Sequence, residues 1–185
     1  MSRRTVILIS ALVPVAILLA IFGWALARSG TTPGGLLVNE KLGEVAIEEK
    51  PAPSFSLGLV SGQSLSLEEL RGKVVMVDFW SSWCPPCRQE ARDLEAAYQS
   101  YRGRGVEFVG IAIWDDRRDV QAFLEEFGVQ YPNGLDDTGR IAINYGVRGI
   151  PEKFFIDREG RLVKKFVGPM TSQDVARVLE EMLAQ

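Results

Sequence analysis

Histidine is absent from this chain of 185 residues, and cysteine occurs only twice. Without histidine, no imidazole can serve as a general base, a nucleophile or a metal ligand. Two cysteines are too few for a disulfide-dense scaffold. A basic surplus is also missing, because the formal net charge is −3 and nucleic-acid binding calls for a basic stripe. These absences direct attention to the two cysteines and their surroundings.

Only one long apolar run is present, and it lies near the amino terminus. Residues 5–27 carry no charge and follow Arg3 and Arg4 directly. About 20 apolar residues let a helix cross a bilayer, and the basic residues before the run predict that the amino end stays in the cytoplasm. We therefore predict a cytoplasmic start and transmembrane anchor over residues 1–28, followed by an extracytoplasmic domain. A cleaved signal peptide is the alternative, because residues 25–27 fit an A-x-A cleavage site, and the domain would then be secreted.

The rest of the chain divides into a linker and one domain. Residues 29–53 are rich in glycine, proline and charge, which predicts a linker, and residues 54–185 form the domain. Its apolar runs and turn signals predict a hairpin, then strand, helix, strand and helix, then a second hairpin and a last helix. Residues 73–80 are almost continuously apolar, as in a strand buried on both faces. This order predicts an α/β domain with a central mixed sheet flanked by helices.

Cys84 and Cys87 lie where the buried strand gives way to a helix, with Pro85 and Pro86 between them. Proline fits the first turn of a helix, where the amides have no helical partner. Because the helix N-terminus favours negative charge, we expect a lowered pKa for the Cys84 thiol. A thiolate is the species that attacks disulfides. We therefore expect Cys84 to be the more exposed, attacking thiol, and Cys87 to resolve the mixed disulfide from one turn deeper.

Three other interpretations of the cysteine pair stay open from the residues alone. A structural disulfide is the first, although stabilisation grows with the length of the closed loop and this loop is short. A zinc site is the second, although zinc needs four ligands and only carboxylates could complete the set. Inert buried thiols are the third. A C-x-x-C pair directly after a strand favours redox exchange, for which we expect no metal and no other cofactor.

Two acidic residues are predicted to lie near the cysteines. Asp78 interrupts the apolar strand, where an unpaired charge is costly and burial raises a carboxyl pKa. We expect Asp78 to exchange a proton with Cys87, unless it marks a position that faces solvent. Glu90 follows Cys87 by three residues and so lies on the same side of the helix. It is either a second acid that handles this proton or a solvated carboxylate at the rim.

The segment DFWSSWCPPC resembles the active site of thioredoxin-fold proteins. The apolar amino-terminal run, KPAPSFSL, LEELRGKVVMVDFW and GVRGIPEKFFIDREGRLVKKFVG together resemble the membrane-anchored TlpA/ResA/CcmG (DsbE) group. The resemblance implies a thioredoxin fold with an N-terminal hairpin and a central insertion at about 115–145. It also implies a cis peptide bond before Pro151, facing the cysteines. The substrate-binding residues that it implies are Trp83, Pro85, Pro86, Ile150, Pro151 and Glu152.

Members of this group reduce protein disulfides outside the cytoplasm, often those of apocytochrome c, and receive electrons from a membrane protein of the CcdA/DsbD type. The resemblance therefore implies an anchored protein-disulfide reductase of cytochrome c maturation. Glu90 and Glu152 match acids of the maturation-type members, whereas Asp78 stands where many of them have asparagine. A broader thiol-disulfide exchange function therefore stays open. A thiol peroxidase is another alternative, although such enzymes commonly have threonine where Ser81 stands, and a non-catalytic client-binding chaperone or scaffold is a third.

Overall fold

The computed structural model describes residues 13–24, 38–39 and 43–184. The chain divides into two compact units, Met1–Gly35 and Leu36–Gln185. Residues 13–24 form a helix, α1. Within the described residues, no helix is long and apolar enough to cross a membrane. The span predicted over residues 5–27 continues beyond both ends of α1 into residues outside the described ones.

The second unit contains the predicted elements in the predicted order, with two further strands before the first hairpin and one further strand and helix before the second. Its described strands are β1 (Gly43–Val45), β2 (Lys50–Pro51), β3 (Ser56–Gly58), β4 (Ser64–Ser66), β5 (Val74–Trp80), β6 (Val106–Ala112), β7 (Asn133–Leu135), β8 (Glu152–Ile156) and β9 (Arg161–Val167). Its described helices are α2 (Pro85–Tyr101), α3 (Arg117–Phe127), α4 (Arg140–Tyr145) and α5 (Ser172–Leu183), and a 3-10 turn spans Leu67–Leu70.

One mixed sheet forms the centre of this unit. Its strands follow the order β1–β9–β8–β5–β6–β7, and β2 also pairs with β9. β5 lies in the middle, parallel to β6 and antiparallel to β8. All seven residues of β5 are buried, which explains its continuous apolar run. β3 and β4 form the separate hairpin that the sequence predicts.

The side chains of β5 belong to two apolar clusters, and α2 contributes residues to both. Val74 and Met76 belong to an apolar cluster with residues of α2 and α5. Val77 and Phe79 belong to the opposite cluster, with residues of α4 and the hairpin. Side chains alternate between faces along a strand. Asp78 therefore points to the same side as Met76, where α2 lies.

Residues 43–51, which the sequence assigns to the linker, instead add two short strands to the edge of the sheet. β1 and β2 both pair antiparallel with β9. Their side chains are mostly exposed, so the pairing rests on backbone hydrogen bonds and leaves no apolar alternation in the sequence. Within the described residues, the pairing of β1 with β9 therefore extends the sheet back to Gly43.

Candidate active site

The two cysteines lie at the start of α2, directly after the central strand. Cys84 is the N-cap residue, and its Sγ accepts a hydrogen bond from the Cys87 N–H at 3.3 Å. The two sulfurs form a disulfide, with the Cα atoms 5.3 Å apart. Pro85 and Pro86 occupy the first turn. In the reduced protein, this N–H and the positive end of the helix favour a thiolate on Cys84.

The exposure of the two cysteine residues differs from the expectation that Cys84 is the more exposed one. Cys84 is 0% exposed and Cys87 is 2% exposed, so Cys84 is not the more exposed residue in this oxidised state. Both pack in the apolar cluster that also contains Ile150. Trp83 and Pro85 carry the exposed surface next to the pair. The assignment of Cys84 as the attacking thiol therefore depends on its N-cap position and not on its exposure.

A second loop fixes the turn that precedes Cys84. Asp115 accepts the Ser82 N–H at Oδ2 (2.5 Å) and the Ser82 hydroxyl at Oδ1 (3.0 Å). Trp83 Nε1 donates to the Trp114 carbonyl at 2.9 Å. Trp114 itself has φ 54°, a region that residues with a side chain seldom adopt. The loop after β6 thereby holds the turn between β5 and α2, a contact that no local sequence pattern signals.

Pro151 lies at the same end of the sheet as the cysteines. The Ile150–Pro151 peptide bond is cis, as the resemblance implies. β8 begins immediately after it and pairs with β5 so that Glu152 lies opposite Phe79, one residue before β5 ends. Ile150 and Pro151 are both buried.

Residues 38–39 contact the domain at this same loop. Val38 forms an isolated parallel bridge with Ile150. The Asn39 N–H donates to the Ile150 carbonyl at 2.6 Å, and Asn39 Nδ2 donates to the Pro151 carbonyl at 3.4 Å. The backbone of Ile150 thus accepts an extended chain, as the edge of a sheet does when it binds a peptide.

Glu152 is buried next to Pro151 and is paired. Its Oε2 lies 2.7 Å from Lys165 Nζ on the neighbouring strand. Its Oε1 accepts the Arg148 N–H at 3.4 Å. These contacts tie the residue after Pro151 both to β9 and to the loop before β8.

Asp78 and Glu90 are both buried and share one lysine. Asp78 Oδ1 lies 3.6 Å from Lys153 Nζ. Glu90 Oε1 accepts a hydrogen bond from the same Nζ, and Glu90 Oε2 accepts the Met170 N–H at 2.7 Å. The exposed fractions are 2% for Asp78 and 3% for Glu90. The solvent-facing alternatives for both acids are therefore wrong.

Burial shifts the protonation of these two acids. It raises the pKa of Asp78, against the opposing charge of Lys153. It raises the pKa of Glu90 to about 8, with Lys153 opposing the rise and the Asp78 charge adding to it. Asp78 and Cys87 line the same small internal cavity, together with Tyr131. A carboxyl group in this position has the chemistry to accept a proton from Cys87 and to return it.

Lys153 is a site residue that the sequence analysis does not identify. It is 0% exposed, and it lies opposite Asp78 in the pairing of β8 with β5. A signal was nevertheless present in the sequence. Glu152 and Lys153 are consecutive residues at the start of a strand, so they point to opposite faces of the sheet. A central strand that is covered on both faces must bury both charges.

Comparison with known proteins agrees with this geometry. The Redoxin family model matches residues 47–182. This chain belongs to the Redoxin family. The C-x-x-C pair at a helix N-terminus, beside a buried acid and a cis proline, is accordingly the redox centre of a family member.

The individual relatives place the chain more narrowly within the family. The thiol-disulfide oxidoreductase ResA of Geobacillus thermodenitrificans is 34% identical over 131 residues, which cover 71% of this chain and 75% of that protein. A thiol:disulfide interchange protein of the thioredoxin family from Chlorobium tepidum TLS superposes with a TM-score of 0.69 at 32% identity and covers 75% of this chain and 99% of its own. A secreted Mycobacterium tuberculosis disulfide oxidoreductase homologous to E. coli DsbE gives a TM-score of 0.60 at 30% identity, over 66% of this chain and 95% of its own.

These likenesses confirm the thioredoxin fold and the resemblance to the TlpA/ResA/CcmG (DsbE) group. The protein is a thiol-disulfide oxidoreductase, and Cys84 and Cys87 are its dithiol–disulfide pair.

Proposed function

We propose that this oxidoreductase is a membrane-anchored, extracytoplasmic protein-disulfide reductase that acts in cytochrome c maturation. The observation that carries the proposal is the position of Cys84 at the N-cap of α2, where its Sγ accepts the Cys87 N–H at 3.3 Å. The likeness to a secreted relative supports the location, and the charge-free run over residues 5–27 supports the anchor. Disulfides of apocytochrome c are the proposed clients, and a membrane protein of the CcdA/DsbD type is the proposed electron donor.

The proposed reaction is a two-step thiol-disulfide exchange. The Cys84 thiolate attacks a client disulfide, so that a bond forms between Cys84 Sγ and one client sulfur while the other leaves as a thiolate. Cys87 then gives its proton to the buried carboxylate pair and attacks Cys84 Sγ, which releases the second client thiolate. The two client thiols are reduced, and the Cys84–Cys87 disulfide is the oxidised product. The electron donor returns the pair to the dithiol form.

Replacing Cys87 by serine tests the identity of the proposed client. The variant keeps the attacking Cys84 but has no sulfur to resolve the mixed disulfide, so we expect the client to stay covalently bound. Non-reducing electrophoresis and mass spectrometry of full-length Cys87→Ser from its host membrane identify the trapped species. We expect apocytochrome c among them, and its absence contradicts the proposed role in maturation.

The redox state of the wild-type pair in the host tests the direction of electron flow. Alkylation of free thiols before extraction separates the dithiol from the disulfide. A reductase supplied by its donor is expected mainly in the dithiol form, and loss of the donor protein is expected to convert it to the disulfide. A pair that is mainly oxidised while the donor is present contradicts the reductase assignment.

The backbone of Ile150 is the proposed docking edge for the client, because the protein's own residues 38–39 already pair with it. A client peptide would compete with this segment for the same carbonyl. Asn39→Pro removes the N–H that donates to the Ile150 carbonyl at 2.6 Å. We expect a several-fold lower KM for a peptide disulfide with kcat little changed. Asn39→Ala, which keeps the backbone donor, is the matched control, and an unchanged KM in Asn39→Pro contradicts the docking edge.

The peroxidase alternative finds no support at Ser81. Its hydroxyl is buried and donates to the Ile113 carbonyl. Because the Ser81 hydroxyl donates its hydrogen to a backbone carbonyl, it does not donate that hydrogen to a peroxide bound next to Cys84. The C-x-x-C pair therefore serves disulfide exchange better than peroxide reduction.

A further inference from the structure

Lys153 places a positive charge in the buried interior of the sheet. It is 0% exposed on the central strand β8. Its Nζ faces Glu90 Oε1, Asp78 Oδ1 at 3.6 Å and the Gly168 carbonyl at 3.3 Å. An ammonium group in such a place is costly unless it is paired. Its partners come from β5, from α2 and from the loop before α5, so Lys153 links three elements around Cys87.

The two acids that share this lysine are held differently. Both oxygens of Glu90 accept hydrogen bonds, one from Lys153 and one from the Met170 N–H. Asp78 Oδ1 has no hydrogen-bond partner and only the ion-pair contact with Lys153. Asp78 is also the acid that lines the cavity next to Cys87. The geometry thus leaves Asp78 as the acid free to take a proton from Cys87.

We propose that Lys153 is a positioning residue for the resolving half of the exchange, where its charge keeps one carboxylate of the Asp78–Glu90 pair ionised and ready to accept the Cys87 proton. With one proton on the pair, the two acids and the ammonium are together neutral. Without the ammonium, the same state carries a net negative charge in a buried site, and the pair takes up a second proton instead. A doubly protonated pair has no acceptor for Cys87.

The proton balance of the resolving step follows from this arrangement. The Cys87 thiol transfers its proton to the ionised carboxylate, and the resulting thiolate attacks Cys84 Sγ. The bond between Cys84 and the client sulfur breaks, and that sulfur leaves with the electron pair. The carboxyl group then gives its proton to the leaving thiolate or to solvent. Of the other groups that face the pair, Tyr131 is the titratable one besides the cysteines, and burial raises its pKa well above the ordinary value.

A chromogenic aromatic disulfide separates the two steps in the full-length reduced protein. Attack by Cys84 releases the first coloured thiolate at a rate that depends on reagent concentration. Resolution by Cys87 releases the second coloured thiolate at a rate that is independent of reagent concentration. We expect the rate of the first phase in Lys153→Met to stay within about twofold of the wild-type rate. We expect the pH profile of the second-phase rate to move to higher pH by about one unit or more. At neutral pH the second phase is then slower by about tenfold or more.

Two further variants distinguish a charge effect from simple damage to the core. Glu90→Gln added to Lys153→Met removes the like charge together with its partner, and we expect the second-phase profile to return towards that of the wild type. Lys73→Met removes a partly exposed lysine that pairs with Glu107, and both phases are expected to stay unchanged. A second phase with an unshifted pH profile in folded Lys153→Met overturns the proposal. If Lys153→Met does not fold, the double variant decides: a second-phase pH profile that differs from that of the wild type also overturns the proposal.

Discussion

Replacement of Cys84 by serine is expected to reduce the rate of insulin disulfide reduction by roughly a thousandfold or more, to the background of uncatalysed exchange. Serine is close to cysteine in size and keeps an N-cap acceptor for the Cys87 N–H, so the helix start is retained. What is lost is the polarisable thiolate that attacks a disulfide sulfur. The measurement is the reductant-dependent turnover of insulin by the full-length protein.

The companion variant Cys87→Ser gives the matched control for this result. It keeps the attacking sulfur, so we expect one equivalent of thiolate from a chromogenic disulfide and then no further reaction. Cys84→Ser is expected to release none at a comparable rate. Comparable release by both variants contradicts the assignment of Cys84 as the attacking thiol.

The same pair of substitutions tests the scaffold alternative. A non-catalytic client-binding protein does not need either sulfur. A reductase needs both sulfurs, so the double variant Cys84→Ser/Cys87→Ser is expected to fail to complement a deletion of the gene. Full complementation favours the scaffold over the reductase.

The elements that carry the cysteines could be predicted because their signals are local. The apolar run of β5, the two prolines and the Cys84 cap fall within fifteen residues of one another, and α2 begins where the two prolines predict. The burial of Asp78 follows from the strand in which it lies. Glu90 was harder, because its position at the edge of a helical stripe fits both a buried and a solvated carboxylate, and the loop that supplies the Met170 N–H decides between them.

The parts that could not be predicted depend on contacts between distant segments. Lys153 reaches Glu90 across 63 positions of the chain, and Asp115 reaches Ser82 across 33. The sequence of β8 indicates that Lys153 is buried, but neither contact repeats with a helical or strand period, so the partner residues leave no pattern in the sequence. β1 and β2 were missed for a related reason, since exposed edge strands are held by their backbone and not by an apolar face.

Glu90→Gln is expected to remove much of the pH dependence of the folding stability of the oxidised protein. Burial raises the pKa of Glu90 from 4.5 to about 8 in the folded state, so the folded protein holds this proton more tightly than the unfolded chain. The contribution of Glu90 to stability is therefore fully present below about pH 4.5 and is lost as the pH rises towards about 8. One such proton changes the free energy of unfolding by up to about 1.4 kcal/mol per pH unit.

The measurement is urea unfolding of the full-length disulfide form at several pH values across this interval. Glutamine cannot titrate, so we expect the stability of Glu90→Gln relative to wild type to rise steadily from about pH 4.5 to about pH 8. Glu90→Gln itself is still expected to lose some stability as the pH rises, because burial also raises the pKa of Asp78. Glu48→Gln, which changes an exposed acid between β1 and β2, is the control and should run parallel to wild type.

A constant difference between Glu90→Gln and wild type would mean that Glu90 is ionised throughout the interval. Any proton that the Asp78–Glu90 pair holds at neutral pH would then lie on Asp78, whose pKa burial also raises. A difference that grows with pH means instead that the pair retains one proton near neutrality. Since Cys87 must lose a proton before it can resolve the mixed disulfide, the same titration that sets stability would then also set the pH range in which the enzyme releases its client.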